Sequence, residues 1–254
     1  MVDVSACSAI VTGGASGLGE ASARLLAASG AKVTLFDLSH ERGEQIANEI
    51  DGLFVSADIS NEEDISNGLE QAIERHGDIR ILVNCAGIAH GQKTTSKEIP
   101  HSLADFEHII NINLVGTFNC IRLVATRMAA QDLINEEERG VIINTASVVA
   151  FDGQLGQAAY AASKAGIVGM TLPIARDLSR SGIRVVTIAA GIFSTPMMAG
   201  LPEEAQKALN ASVPFPPRLG KPEEFSAMVK HICENSYLNG ETIRLDGAIR
   251  LAAK

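Results

Sequence analysis

The sequence predicts a doubly wound α/β fold, a parallel sheet of about seven strands flanked by helices, and three observations point there. Short apolar runs alternate with longer amphipathic segments along the whole chain. A glycine-rich turn stands directly between the first apolar run and the first amphipathic segment. An acidic residue closes the second apolar run. For 254 residues, one such sheet with one core accounts for the chain as a single domain, 1–254.

Strands are expected at 9–12, 32–36, 53–56, 81–84, 141–145, 183–188 and 242–245, each a short apolar run. The helical period is expected at 17–29, 41–50, 65–76, 106–131, 157–179 and 223–234, joined by right-handed crossovers. Two stretches interrupt this rhythm, 90–103 and 193–219, the second carrying Pro196, Pro202, Pro214, Pro216 and Pro217. Ligands of doubly wound sheets sit beyond the carboxyl ends of the strands, so both loops are expected to wall the substrate.

Composition excludes several classes. A hydrophobic share of 46% and a charged share of 20% lie well away from the disordered corner. The net charge of -9 argues against nucleic acid as a partner, because phosphate binding needs concentrated Lys and Arg. No uninterrupted apolar run approaches the roughly 20 residues that cross a bilayer. No membrane role is therefore expected, and with no basic n-region at the start, a cytoplasmic location fits. Cys7, Cys85, Cys120 and Cys233 lack CxxC spacing and read as reduced core thiols. The six histidines show no HxxxH or HExxH pair, so no metal is expected.

The turn Thr12-Gly13-Gly14-Ala15-Ser16-Gly17-Leu18-Gly19 opens the first helix. Free backbone N–H groups and the positive dipole end can hold a pyrophosphate there, and Gly13, Gly17 and Gly19 let the backbone approach it. This makes the fold Rossmann-type. Asp37 follows Gly19 by 18 positions, where a carboxylate accepts from both ribose hydroxyls and repels a 2′-phosphate. No Arg or Lys stands at Ala15, Ser16 or Leu38, so NAD is expected over NADP. Asp37 and Ser39 are also good helix caps, which leaves a structural role open for Asp37. Further along, Asp58 and Ile59 end the third strand and are placed at the adenine. Cys85, Ala86 and Gly87 follow the fourth, and the small pair leaves room for the cofactor.

The strongest constellation is Ser147, Tyr160 and Lys164. Tyr160 and Lys164 stand at i and i+4, so on a helix they share a face and the ammonium can lie near the phenol. A neighbouring cation favours the phenolate, which would bring Tyr160 into use as a base. Ser147 follows the fifth strand and can donate to the substrate oxygen. It lacks the GxSxG setting of a hydrolase nucleophile.

Together these motifs resemble the short-chain dehydrogenase/reductase family from about Ser8 to Gly247. The resemblance implies that Ser147, Tyr160 and Lys164 are catalytic and that Asn113, in Asn111-Ile112-Asn113-Leu114, completes a proton relay through water. A buried asparagine capping a local kink is the structural reading of Asn113, compatible with the first. It also implies that Thr195 steadies the nicotinamide carboxamide, that Ile192 or Phe193 packs at the ring, and that Tyr160 and Lys164 touch the cofactor. One departure stands out: Ala190 occupies the place of a usual proline before Gly191, which leaves the stiffness of that loop open.

Within the family the chain is most similar to the type II 3-hydroxyacyl-CoA dehydrogenases, also described as 17β-hydroxysteroid dehydrogenases. The shared blocks include 139–147, 156–160, 166–178, 213–216 and 239–250. This implies NAD, an acyl-CoA substrate oxidised at its 3-hydroxyl, contact of Ser147, Gln157 and Tyr160 with that substrate, a homotetramer and a place in fatty acid metabolism. The animal relatives are mitochondrial. Lys93 and Lys97 in the first loop could pair with coenzyme A phosphates. The alternatives are an alcohol or hydroxysteroid dehydrogenase with another substrate, and a non-catalytic NAD-binding scaffold.

Overall fold

The computed structural model describes residues 3–134, 137–199, 204 and 209–253. The expected 193–219 loop opens with a short helix, α7 (Pro196–Ala199), and part of it, including Pro202, lies outside the described residues. Strands β1 (Ser8–Thr12), β2 (Lys32–Asp37), β3 (Leu53–Ser56), β4 (Ile79–Asn84), β7 (Gly140–Ser147), β8 (Ile183–Ala190) and β9 (Thr242–Leu245) form one sheet, ordered β3-β2-β1-β4-β7-β8-β9. All six pairings are parallel, and all seven expected strands are present. A parallel sheet is covered on both faces, which is why its strands read as continuous apolar runs rather than as alternation.

Successive side chains on a strand point to opposite faces, and two core layers result. On one face Ala9, Val11, Ile81, Val83, Val141, Ile143, Val186 and Ile188 pack with Ala23 and Leu26 of α1 (Gly17–Ala28), Ile46 of α2 (His40–Glu49) and Phe225, Val229 and Ile232 of α8 (Pro222–Glu234). On the other, Ile10, Leu82, Ile142 and Val185 meet Ile65 and Leu69 of α3 (Glu62–His76), Ile121 and Val124 of α5 (Thr117–Ala129) and Ile174 of α6 (Ala158–Asp177). Each large apolar side chain so buried contributes about 1.5–3 kcal/mol. The sheet is thereby fixed to within one register, because a one-residue slip would exchange the two faces.

Two expected segments differ from the structure. The helix expected over 106–131 is α4 (Leu103–Ile110), a π-helical stretch Asn111–Gly116, then α5. The run Leu103–Ala129 is, by length and composition, apolar enough to cross a membrane, but Ile109, Cys120, Ile121, Val124 and Met128 bury its inner face within the fold. The 90–103 loop carries a small antiparallel hairpin, β5 (Thr95–Ser96) with β6 (Ile99–Pro100). Lys97 and Glu98 turn it at φ 50° and 65°, the left-handed pair that two-residue hairpin turns use. No glycine announces that turn, so the sequence reads as plain loop.

One buried ion pair fastens the sheet to α8. Arg184 on β8 donates to Glu138 Oε1 at 2.6 Å and to the carbonyls of Ile232, Cys233 and Leu238 at 2.8–3.0 Å. Both side chains are 7% exposed. The guanidinium thus satisfies carbonyls in and just beyond the last turn of α8 that have no partner in the helix itself. Replacing Arg184 by Met leaves a carboxylate and these carbonyls buried without it. The expected loss is about 3–5 kcal/mol of unfolding free energy, read as a lower urea midpoint; a loss under about 1 kcal/mol, the level of an exposed pair, would refute the account.

Candidate active site

The chain builds β1, β2 and β3 outward in one direction, then returns to start β4 on the other side of β1. Such a switch point opens a crevice at the carboxyl ends of the strands. Thr12 closes β1, and its Oγ1 accepts from the N–H groups of Cys85 and Ala86, each at 3.2 Å. Gly13 has φ +65°, and a Cβ there would stand 2.7 Å from Ala86 N. A Cβ on Gly19 would overlap the Gly13 carbonyl. Only hydrogen fits at both positions, so the glycines answer to close packing as well as to any ligand. Ser16 caps α1 by position, with no side-chain hydrogen bond to the helix. The leading N–H groups of α1 are therefore left to the crevice.

Asp37 serves the turn directly. Its Oδ2 accepts from Ala15 N at 3.0 Å and its Oδ1 from Ser39 N at 2.9 Å. One carboxylate thus ties the glycine turn to the end of β2 and leads into α2. Asp58 is similarly held, Oδ1 accepting from the backbone and hydroxyl of Ser60 at 2.8 and 2.7 Å. Ile59 is buried, and its side chain fills the space a Cβ on Gly116 would need.

Gly13, Ser16, Gly17, Leu18, Gly19, Asp37, Asp58, Ile59, Cys85, Ala86, Gly87 and Thr195 all line one cleft of about 340 Å³. Of the other residues expected there, Phe193 and Tyr160 line a second cavity of about 420 Å³ with Ser147 and Gln157. Thr195 borders both. A Cβ on Gly17 would come within 3.3 Å of Thr195, so the segment after β8 closes over the glycine turn. Asn113 and Lys164 line neither space and are buried beneath them.

Lys164 lies one turn after Tyr160 on α6, with Nζ 5.8 Å from the ring centroid. Its ammonium donates to the Thr145 carbonyl at 2.9 Å. Burial lowers Lys164 from its ordinary value to about 8, because the low-dielectric interior disfavours the charged form. Burial likewise raises the Tyr160 phenol, against a smaller opposing contribution from hydrogen bonding to Ser147. The expectation that Lys164 draws the phenol toward ionisation is not met in the free protein. Desolvation is the largest cause of the shift at both groups.

Asn113 sits in the π-helical stretch and is fully buried. Its Oδ1 accepts from Ile88 N at 2.8 Å; its Nδ2 donates to Ile88 O at 2.9 Å and Ser163 Oγ at 3.1 Å. Ser163 in turn donates to the Tyr160 carbonyl at 2.8 Å. Asn113, within the π-helical stretch, thus clamps the loop after β4 to the helix bearing Tyr160. π-Helical turns concentrate at such functional places.

Ala190 resolves the departure noted in the sequence. The strand runs through it, with Ser147 as register partner on one side and Leu245 on the other. Pairing on both sides, rather than a proline ring, holds the end of β8. Sequence reasoning missed Ile88, Ile112 and Pro196 in the first cleft and Val149, Gln154, Met198, Leu209 and Leu251 in the second. These are mostly apolar side chains brought together by long-range packing, and no local spacing marks them.

Residues 8–206 match the family model for short chain dehydrogenase, and the chain belongs to that family of nicotinamide-dependent oxidoreductases acting on small molecules. It is 54% identical over 246 residues to a 3-hydroxyacyl-CoA dehydrogenase type-2 of Drosophila melanogaster, covering 95% of this chain and 96% of the relative. Identity to the Homo sapiens protein of the same name is 52% over 247 residues, covering 96% and 95%. A crystal structure of 3-hydroxyacyl-CoA dehydrogenase type-2 from Mycobacterium avium superposes with a TM-score of 0.94 at 42% identity, over 98% of both chains.

The lowered Lys164 value carries a pH signature. Unfolded lysine holds its proton up to its ordinary 10.5, and the folded one releases it near 8. Between these values the unfolded chain binds more protons, so stability rises with pH there. Relative to Lys164→Met, the protein should gain on the order of 3 kcal/mol from about pH 8 to about pH 10.5. Denaturant melts of both proteins across that range measure it, and parallel stability curves would mean Lys164 titrates normally.

Proposed function

We propose that this protein transfers hydride between the 3-hydroxyl carbon of a 3-hydroxyacyl-CoA and NAD, with Tyr160 as the acid/base. The observation that carries the reading is the junction of the two spaces. A cleft shaped by glycines and closed by Asp37 meets, at Thr195, a cavity whose lining includes Ser147, Gln157 and Tyr160. The names of the relatives favour the acyl-CoA substrate.

The first cleft suits NAD. Gly13 and Gly19 leave backbone surface that any Cβ would block, and the uncapped start of α1 offers N–H donors for a pyrophosphate. Asp37 would take the ribose hydroxyls with its remaining lone pairs, while exposed Leu38 offers a 2′-phosphate no cation. Asp58, Ile59, Ala86 and Gly87 would border the adenosine half. Thr195 and Phe193 would border the nicotinamide half. When bound, NAD supplies the hydride acceptor.

The residues then do the proton work. Ser147 donates to the substrate oxygen and holds it beside Tyr160, and Gln157 positions the same end. Tyr160 takes the hydroxyl proton as the carbonyl forms. Lys164 draws the phenol toward ionisation once ligands complete the site, and Asn113 fixes the helix carrying both. A homotetramer belongs to the same reading, supported by exposed Leu103 of α4, Val115 of the π-helical stretch and Phe118 of α5.

Turnover of 3-hydroxyacyl-CoA thioesters, 17β-estradiol and a simple secondary alcohol, each with NAD and NADP, tests the proposal. Thioesters with NAD should be the best pair, and Tyr160→Phe should lower kcat about 10²–10⁴-fold. Turnover of CoA-free alcohols alone would remove the substrate class; NAD binding without any turnover would favour a scaffold. Exposed Lys93 and Lys97 provide a second test. Their double Ala variant should raise KM several-fold for acyl-CoA and leave KM for a CoA-free alcohol in place, whereas equal effects would remove their role at the CoA phosphates.

A further inference from the structure

The segment after β9 reaches back to the second cavity and is fastened from two sides. At its start, Asp246 accepts from Arg244 Nε at 2.8 Å and from Ala248 N at 3.0 Å. Arg244 also donates to Asp152 at 2.6 Å and to the Ile249 carbonyl at 3.0 Å. Further on, Gln154 Nε2 donates to Ala252 O and Leu155 N to Ala253 O, both at 3.0 Å. Asp152, Gln154 and Leu155 all lie in the loop between Ser147 and Tyr160. The segment is therefore laced to the loop that joins the serine and the tyrosine.

Leu251 is the side chain this lacing delivers. It packs on the buried cluster of Val148, Val213 and Ile249, and it lines the cavity that Ser147 and Tyr160 line. Val148, a member of that cluster, is the residue directly after Ser147. The lining of the cavity joins polar residues, Ser147, Gln157 and Tyr160 among them, with apolar ones that include Val149, Ile192 and Leu251. A carbinol held at Ser147 and Tyr160 would lay its hydrocarbon along the apolar part of this lining.

We propose that Leu251, held in place by the Gln154–Ala252 and Arg244–Asp152 contacts, is a specificity-determining residue that limits the length of the hydrocarbon chain the cavity accepts. The inference rests on reading this cavity as the acyl site. Its physical basis is that each methylene that gains or loses apolar contact changes transition-state binding several-fold. A bulkier side chain at Leu251 takes space from the chain end, and a smaller one returns it. Gln154 acts as a positioning residue, because without its amide the segment loses one fastening and Leu251 is less sharply placed.

The test is kcat/KM for 3-hydroxybutanoyl-CoA, 3-hydroxyoctanoyl-CoA and 3-hydroxyhexadecanoyl-CoA with the parent protein, Leu251→Trp, Leu251→Ala and Gln154→Ala. Leu251→Trp should lower the long-to-short ratio at least tenfold, Leu251→Ala should raise it, and Gln154→Ala should flatten the chain-length profile through KM rather than kcat. A series of 2-alkanols from butanol to dodecanol, followed by turnover and by thermal shift of the NADH-loaded protein, separates the two readings. If thioesters fail but the alkanols show the same reordering, the acyl-CoA assignment falls and the role of Leu251 stands. If Leu251→Trp folds and scales every chain length equally in both series, or if Leu251→Ala leaves the ratio unchanged, the inference is overturned.

Discussion

The contact between the turn after β1 and the end of β4 is the constraint on which the site depends. Thr12 Oγ1 holds two successive backbone amides of β4's extension, and Gly13 lies against Ala86 with no room for a Cβ. Because β1 and β4 flank the switch point, this one junction sets both the height of the glycine turn and the width of the crevice. The same β4 extension carries Ile88, which Asn113 grips, so the helix bearing Tyr160 is referred back to the same place. Moving the junction would move the glycine-lined cleft and Tyr160 together.

Beneath the cleft lies a set of buried polar groups that an apolar core would not tolerate unpaired. Lys164 is held by a backbone carbonyl, and the Asn113 side chain by three hydrogen bonds to Ile88 and Ser163. Burying such groups is unfavourable unless hydrogen bonds compensate. Desolvation lowers Lys164 and raises Tyr160, which keeps the free protein away from the charged pair its chemistry would use. Ligands that enclose the site and add their own dipoles are the means by which that balance would change.

The second cavity is built on different physics. Arg244 joins Asp152 and Asp246, and backbone contacts draw the segment after β9 onto the loop between Ser147 and Tyr160. These links are far apart in sequence, with Gln154 and Ala252 98 positions apart. A cavity wall made this way can change its contour through single residues without disturbing the sheet.

The sequence by itself determined the seven strands, the α/β class and many of the residues that gather at the candidate site. Apolar runs of strand length have one way to be buried on both faces, and Gly13, Asp37, Ser147, Tyr160 and Lys164 stand at positions that the βα rhythm carries to the same sheet edge. Tertiary structure alone decided the rest. The π-helical turn at Asn113 depends on what its amide finds opposite, the hairpin at Lys97 and Glu98 on a left-handed turn without glycine, and the firmness at Ala190 on partners in two other strands. The sign of the Tyr160 shift was also beyond the sequence: spacing places a cation one turn away, but only burial decides whether attraction or desolvation dominates.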